Sequence, residues 1–242
     1  MRLAGALLAR CLDLLRMAAV PGRSSLEIDS IAEEFIKDHG AIPMFKNYKL
    51  SEEIPPYPGS ICFSRNQILV HGVPTKENIV EEGDVITIDC GLKLEGWCAD
   101  AARLFGVGEV SFEDQAQIKA TDAALAAGIA ACVAGNKLGM VSNAIQNSVG
   151  WSPYYNVIEF CGHSIGQEMH ETPQVPNCGL VTDGPVLAPG EVLCLEPMLK
   201  RNDIGLGLLP DDWTVATLDN SKVTHVEHMV LVTEGEPEIL TL

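Results

Sequence analysis

The amino-acid sequence predicts an α/β (α+β) fold made of two related halves, each with helices and a strand hairpin. The 242 residues are 47% hydrophobic, which is sufficient for a sizeable buried core. Helix-capping signals alternate along the chain with short runs of β-branched residues. Residues 83–93 also match residues 190–200, with a carboxylate at the same place in each copy. Chance similarity between two buried strands remains an alternative explanation of this repeat.

Four helices are predicted from periodicity and capping. The first covers residues 3–18 and ends before Pro21-Gly22, because apolar side chains recur on one face. Ser24 and Glu27 have capping-box spacing and open a second helix, which should stop near Gly40. Later in the chain, helices are predicted from Ser111 to about Val133 and around Val141–Val149.

The strands of the first half follow a loop at residues 50–60, which contains three prolines and a glycine. Glu95-Gly96 has the composition of a tight turn and should join the last two strands into a hairpin. The predicted strands cover residues 61–64, 67–71, 84–90 and 97–105.

Charge and cysteine content exclude several classes of protein. The formal net charge of −17 argues against binding that neutralises nucleic-acid phosphates or anionic lipids, whereas a cationic amine would be attracted. The eight cysteines include no C-x-x-C pair, so we expect reduced thiols in a cytosolic chain and no zinc knuckle. No apolar run approaches the roughly 20 residues of a membrane span.

Four carboxylates occur in apolar strand-like segments. Asp89 ends a run of Val-Ile-Thr-Ile, and a buried carboxylate there is costly to ionise unless a cation offsets its desolvation. Asp100 lies on the next strand of the predicted hairpin, within reach of the same site. Glu196 and Glu227 also interrupt apolar segments. Each acid alone could cap an amide or pair with a lysine, but the four together favour a metal site.

Histidines add to this set. His163 lies between glycines in Cys161-Gly-His163-Ser-Ile-Gly166, where the backbone can approach neighbouring groups closely. Four carboxylates and one imidazole form a hard, oxygen-rich set suited to two divalent cations. His71 and His170 are further candidates. Packing or supporting roles are expected for His225, which shares a strand face with Glu227, and for His228, which points the other way.

Several segments resemble the pita-bread metallopeptidases, and within them the type I methionine aminopeptidases. The resemblance implies a pseudo-twofold fold in which helices cover a curved antiparallel sheet, with residues 1–242 forming a single catalytic domain. The matching segments are Tyr57-Pro-Gly-Ser-Ile-Cys62, Val70-His71-Gly-Val-Pro74, Ile88-Asp89, Asp100, Gly162-His163-Ser-Ile-Gly166, Met169-His170-Glu-Thr-Pro-Gln174, Leu195-Glu196-Pro-Met198, Trp213-Thr-Val215 and Glu227-His228.

The resemblance also implies a mechanism. Two divalent ions, from among cobalt, manganese, iron and zinc, would promote attack by a metal-bound hydroxide on the first peptide carbonyl. Glu196 would move the proton to the leaving amine. His170 would stabilise the oxyanion, and His71 would position the scissile amide. The implied metal ligands are Asp89, Asp100, His163, Glu196 and Glu227.

The resemblance assigns the side-chain pocket for methionine to Tyr57, Cys62, Met169 and Trp213, with Ile54 nearby and with His71 and His170 also contacting substrate. The sequence departs from the usual family pattern at five places. The family commonly has an aromatic residue at Ile54, Phe at Met169, Gly at Ser164, and Thr at both Gly91 and Ala101.

The implied function is removal of methionine from the N-termini of nascent proteins and peptides by a cytoplasmic monomer, with transient ribosome contact. One alternative is an Xaa-Pro aminopeptidase or dipeptidase with the same ligands, although only about 80 residues precede the first ligand strand, too few for the extra domain of those enzymes. Another is a catalytically impaired peptide-binding protein of this fold. The 33 and 31 residues between the late ligands leave no room for the helical insertion of type II enzymes.

Overall fold

The computed structural model describes all 242 residues and consists of four long helices with short antiparallel strands. The helices are α1 (Arg2–Ala18), α2 (Ser25–Asp38), α3 (Phe112–Ala131) and α4 (Leu138–Gly150). The strands are β1 (Ile42–Pro43), β2 (Ile61–Arg65), β3 (Ile68–Val70), β4 (Val85–Leu94), β5 (Trp97–Gly106), β6 (Tyr155–Asn156), β7 (Cys161–Ser164), β8 (Glu171–Pro176), β9 (Val192–Leu195), β10 (Met198–Lys200), β11 (Leu206–Leu208), β12 (Val215–Thr217), β13 (Val223–His225), β14 (His228–Leu231) and β15 (Glu238–Ile239).

The capping signals correctly predicted where helices begin. The Ser24 hydroxyl accepts a hydrogen bond from the Glu27 amide, and the Glu27 carboxylate accepts one from the Ser24 amide at 2.8 Å, so the capping box of α2 is complete. The Ser111 hydroxyl likewise accepts from the Asp114 amide at the start of α3. All four helices lie within a few residues of their predicted positions.

The β4–β5 hairpin is the centre of the first half. Glu95 and Gly96 both have positive φ, 51° and 84°, as a tight hairpin turn requires. The structure extends β4 to Leu94, beyond the predicted end at Cys90. The reason is tertiary pairing, because β5 pairs along the whole of β4 and the short strand β1 pairs with its last part.

The second half repeats this arrangement with an interrupted hairpin. Strands β9 and β10 pair with β14 and β13, and Pro197, which has no amide hydrogen to donate, lies in the gap between β9 and β10. The order of two helices followed by a hairpin therefore occurs in both halves. Residues 83–93 and 190–200 occupy equivalent places, and the predicted α/β fold of two related halves is confirmed.

Alternation along β4 separates the hydrophobic core from a cavity. Ile86, Ile88, Cys90 and Leu92 are fully buried in a core shared with α1 and α2, whereas Asp89 points to the opposite face and is partly exposed. A second core packs α3 and α4 against the strands of the second half. Helices thus cover one face of the sheets, and the other face borders the cavity. None of the helices combines the length and apolar character needed to cross a membrane.

Candidate metal centre and active site

Strand register places several acidic side chains on one face. Asp89 pairs with Cys62 on one side and with Ala102 on the other, and Ala102 forms an isolated bridge with Glu227. Directly paired residues of antiparallel strands point to the same face. Asp100 pairs with Gly91, so it lies diagonally across the hairpin from Asp89. A single row across the sheets therefore brings together carboxylates that are far apart in the sequence.

Glu196 joins this row from the second half. Leu195 pairs with His228 and Met198 pairs with His225, and the same register places Glu196 opposite Glu227. Neither glutamate lies within a regular strand, because both fall in the gap beside Pro197. The sequence had predicted both acids in apolar strand context, and the structure places Glu196 directly after β9 and Glu227 directly before β14.

His163 reaches the same face from β7. Its Nε2 lies 3.8 Å from Asp100 Oδ2, and its Nδ1 lies 3.0 Å from the Ser164 carbonyl oxygen. Since that carbonyl can only accept, Nδ1 carries the hydrogen and Nε2 presents a lone pair towards Asp100. Burial lowers the pKa of His163 to about 4, which favours the neutral imidazole that a metal requires.

Gly162 allows this approach. A Cβ atom there would lie 2.1 Å from the Cys194 carbonyl oxygen, so β7 can pack at this separation from β9 only with glycine. We expect Gly162→Ala to lower the free energy of unfolding by about 1–3 kcal/mol and to weaken metal binding by displacing His163, as measured by urea unfolding and metal titration. Gly150→Ala is the control, because a Cβ there meets nothing within 4 Å. Equal behaviour of the two variants would contradict this expectation.

Three of the carboxylates each have a buried oxygen atom without a hydrogen-bond partner. The buried atoms Asp89 Oδ1, Asp100 Oδ1 and Glu227 Oε1 have no hydrogen bond. No Lys or Arg nitrogen lies within 4.0 Å of these three acids or of Glu196. Burial raises the pKa of Asp89 to about 7, and burial and mutual repulsion hold those of Asp100, Glu196 and Glu227 well above their usual range.

Unpartnered buried oxygens of this kind fit divalent cations. Ligand atoms of Asp89, Asp100 and Glu227 all lie within 4.8 Å of one another, and those of His163 and Glu227 also form a group with the Cys194 thiol. A cation among them would offset the repulsion and desolvation of the carboxylates. Asp89, Asp100, His163 and Glu227 therefore have neighbouring ligand atoms, while Glu196 lines the same cavity, and the donor set suits a hard divalent ion.

The metal-free protein should lose stability as pH rises. The carboxyls bind protons more tightly when folded than when unfolded, so their contribution is full below about pH 4 and is lost as pH rises through about 7 and above. The lowered histidine pKa values affect stability only below about 6.5. Urea unfolding between pH 7 and 8 should therefore show a fall of up to about 1.4 kcal/mol per pH unit for each carboxyl that is still protonated in the folded protein and ionised in the unfolded chain.

Saturating divalent metal provides the control for this measurement. Bound metal keeps the carboxylates ionised in the folded state, so the fall in stability with pH should disappear. A metal-free protein with constant stability across pH 7 to 8 would show that folding does not raise the pKa values of these carboxyls.

The five predicted ligands line a cavity of about 580 Å³. Tyr57, Cys62, Met169 and Trp213 all line it, as predicted, and each is at most 6% exposed. The Tyr57 hydroxyl lies 2.9 Å from both the Ile61 and Gly72 carbonyl oxygens, which fixes the ring. The cavity thus has a polar part at the carboxylates and an apolar part formed by aromatic and sulfur-containing side chains.

Tyr48 and Ile54, which both precede Tyr57 in the chain, differ in their relation to the cavity, since only Tyr48 lines it. Ile54 packs against the first core but does not line the cavity. Backbone hydrogen bonds from Asn47 to Tyr57 and from Tyr57 to Tyr48 bring Tyr48 beside the pocket, with its ring edge-on to Trp213. Residues 49–56 therefore form a loop between Tyr48 and Tyr57, and Leu50 at the start of this loop also lines the cavity.

Gly91 and Ala101 have different relations to the cavity. A Cβ at Gly91 would lie 2.8 Å from the Phe45 ring and 3.3 Å from the Met169 sulfur, so these side chains occupy the space of a larger residue. Ala101 pairs with Cys90 and faces the core under the helices. The departure at Gly91 therefore affects the pocket, whereas the one at Ala101 does not.

His71 and His170 both line the cavity. His71 has φ 56°, a left-handed conformation that a non-glycine residue rarely adopts, and its ring packs edge-on against Phe160 and Trp213. His170 Nδ1 lies 3.1 Å from the Tyr48 hydroxyl, which leaves Nε2 for another partner. Burial lowers the pKa of both rings, that of His71 to about 4.

Several lining residues were not predicted from the sequence. They include Phe45, Tyr48, Leu50 and Phe160, which lie outside the motifs quoted above, so only the fold brings them to the cavity.

Comparison with known proteins gives consistent matches over the whole chain. The model of metallopeptidase family M24 matches residues 1–234. Methionine aminopeptidase 1 of Mycobacterium tuberculosis is 44% identical over the whole chain and 91% of its own length, and a methionine aminopeptidase of Clostridium acetobutylicum is 42% identical over 100% and 94%. The crystal structure of methionine aminopeptidase from Rickettsia prowazekii superposes with a TM-score of 0.94 at 34% identity, covering 100% of this chain and 95% of that one.

Proposed function

The chain belongs to metallopeptidase family M24, and on this basis we propose that it is a metal-dependent aminopeptidase that removes methionine from the N-termini of proteins and peptides. The predicted resemblance to methionine aminopeptidases and the predicted pita-bread fold are both confirmed. One observation carries the proposal most directly. Four carboxylates, of which Asp100 and Glu227 are buried, line the same cavity as His163 and a pocket of aromatic and sulfur-containing side chains.

The proposed cofactor is a pair of divalent ions held by Asp89, Asp100, His163, Glu196 and Glu227. When bound, such ions polarise a peptide carbonyl, lower the pKa of a water molecule and anchor an amine. Asp100 and Glu227 each belong to more than one group of neighbouring potential ligands, which supports two ions. Cobalt, manganese, iron and zinc all suit this donor set.

Glu196 is placed to move the proton during hydrolysis. Its carboxylate borders the cavity, is 14% exposed, and burial raises its pKa well above the usual range. A raised pKa brings a carboxyl closer to the value that suits proton transfer near neutral pH. We propose that Glu196 accepts the proton of the attacking water and delivers it to the leaving amine.

The two cavity histidines supply hydrogen bonds to the reacting peptide. His170 Nδ1 lies 3.1 Å from the Tyr48 hydroxyl, and we propose that this hydroxyl donates to Nδ1, so that the hydrogen stays on Nε2 and can be donated to the developing oxyanion. His71, held by its unusual backbone conformation, would position the scissile amide. Each of these roles requires a neutral imidazole, which the lowered pKa values provide.

The apolar part of the cavity selects the first side chain. Met169 and Cys62 present polarisable sulfur, while Tyr57 and Trp213 present ring edges at a centroid distance of 5.2 Å. An unbranched thioether fits among such groups, since sulfur makes favourable contacts with aromatic rings. We further propose that the 242 residues act as one catalytic domain and as a cytoplasmic monomer, with transient ribosome contact during work on nascent chains.

Metal-free protein restored with one metal at a time tests this function. Release of methionine from Met-Ala-Ser, with much slower release from Leu-Ala-Ser, is the expected result. Preferential cleavage of peptides with proline in the second position would favour an Xaa-Pro peptidase instead. Metal binding without cleavage of either class would indicate an impaired peptide-binding protein.

A further inference from the structure

His225 is a buried histidine with an unsatisfied nitrogen beside the site. His225 is 2% exposed and lines the cavity, and its Nε2 has no hydrogen bond. This nitrogen lies 3.6 Å from Glu196 Oε2. Buried polar atoms in folded proteins nearly always have a partner, so an orphaned Nε2 at this place calls for one.

The backbone holds His225 firmly in this position. It ends strand β13, where it pairs with Met198 of β10, and its carbonyl oxygen accepts a hydrogen bond of 2.8 Å from the Thr87 hydroxyl. Glu196 is two residues before Met198, and the Asn177 side chain donates a hydrogen bond of 3.1 Å to the backbone carbonyl oxygen of Glu196. Both residues therefore have fixed backbones, and only their side chains can adjust the 3.6 Å separation.

His225 is also the one basic side chain close to this carboxylate. No other Lys, Arg or His nitrogen lies within 4.0 Å of Glu196. A carboxylate that binds metal is ionised and can only accept hydrogen bonds, so the imidazole would have to be the donor. Closing the gap to a normal hydrogen bond needs a movement of roughly half an ångström, and such contacts often tighten only in the loaded enzyme.

We propose that His225 is a positioning residue that donates its Nε2 hydrogen to Glu196 and so fixes the orientation in which this carboxylate binds metal and receives the proton. The inference rests on the proposed function for the role of Glu196 in catalysis. It deepens that function by identifying what holds the proton-transferring group. Partners of metal ligands typically contribute 10–100-fold to metal affinity or activity.

Two substitutions separate this role from packing. His225→Leu fills similar space without a donor, whereas His225→Gln keeps an N–H group near the position of Nε2. Titration of the metal-free proteins with manganese(II) should show a loss of affinity of about tenfold or more for His225→Leu, with His225→Gln within about threefold of the unsubstituted protein. His228→Leu is the matched control, since His228 bonds to Thr241 on the far side of Glu227, and its affinity should not change.

Nuclear magnetic resonance of the imidazole nitrogens gives a second measurement that needs no variant to fold. In the zinc-loaded protein, Nε2 of His225 should carry the hydrogen. A deprotonated Nε2 with the shift of a coordinated nitrogen would show that His225 is itself a metal ligand, and would overturn the proposal. So would equal losses of affinity in His225→Leu and His225→Gln, or no loss in either.

The proposed function can fail separately. If the unsubstituted protein binds manganese with the expected pattern across variants but releases no methionine from Met-Ala-Ser, the aminopeptidase assignment is wrong and the His225–Glu196 contact stands. If methionine is released but the variants bind metal alike, only the inference about His225 is wrong.

Discussion

Asp100→Asn should abolish metal binding and activity while making the metal-free protein more stable. Asp100 is 4% exposed, and burial, Glu227 and Asp89 hold its pKa well above the usual range. The substitution keeps the shape but removes one charge from a group of mutually repelling acids. We expect metal affinity and the rate of methionine release each to fall at least about a hundredfold. Loss of a residue that only supports a metal ligand already costs up to about a hundredfold.

The stability of the metal-free protein should change in the opposite direction to its metal affinity. Urea unfolding of metal-free Asp100→Asn at pH 8 should show a gain of about 1–3 kcal/mol, since a buried and unpaired charge is removed. Asp38→Asn, at the exposed end of α2, is the control and should change neither quantity. A metal-free Asp100→Asn protein that is less stable than the unsubstituted one would mean that Asp100 supports the fold through hydrogen bonds instead.

His170→Ala should lower kcat by about 10²–10³-fold, the usual effect of losing one oxyanion donor. Metal content should remain unchanged, because His163 and the four carboxylates keep their positions. The ring of His170 packs edge-on against His163 at a centroid distance of 4.4 Å, so the metal content has to be measured together with kcat. Elemental analysis and steady-state kinetics on Met-Ala-Ser provide the two values.

The control for His170→Ala is His39→Ala, at the end of α2 and remote from the cavity. Tyr48→Phe should produce a smaller loss of kcat than His170→Ala, because it removes only the hydroxyl that selects the His170 tautomer. Loss of metal from His170→Ala in proportion to activity would reassign His170 as a ligand.

Local sequence signals predicted most of the helices and the first hairpin. The capping box at Ser24 and Glu27 and the turn at Glu95-Gly96 each act within a few residues, so their structural outcome depends little on the rest of the chain. The end of β4 was less predictable. Its last residues are strand because β5 pairs with them across the Glu95-Gly96 turn and because β1, which local signals did not predict, pairs with Leu92 and Lys93.

The candidate site shows the same division. Charged residues within apolar runs identified all four carboxylates, since such positions are costly without compensation. Tyr48 escaped detection because a loop of eight residues separates it from Tyr57, and only backbone hydrogen bonds in the folded protein bring the two together. The orphaned nitrogen of His225 is likewise visible only when its distance from Glu196 is known.

The bridge between Ala102 and Glu227 joins the two halves by a pair of backbone hydrogen bonds of 3.3 and 3.1 Å. Asp89 and Asp100 come from one side of this seam, and His163, Glu196 and Glu227 come from the other. A bound ion would therefore stabilise the contact between the two halves, since separating them would also break its coordination. The amide hydrogens of Ala102 and Glu227 should exchange with solvent deuterium more slowly when metal is bound, so isotope exchange at two backbone positions would report on the occupancy of the centre.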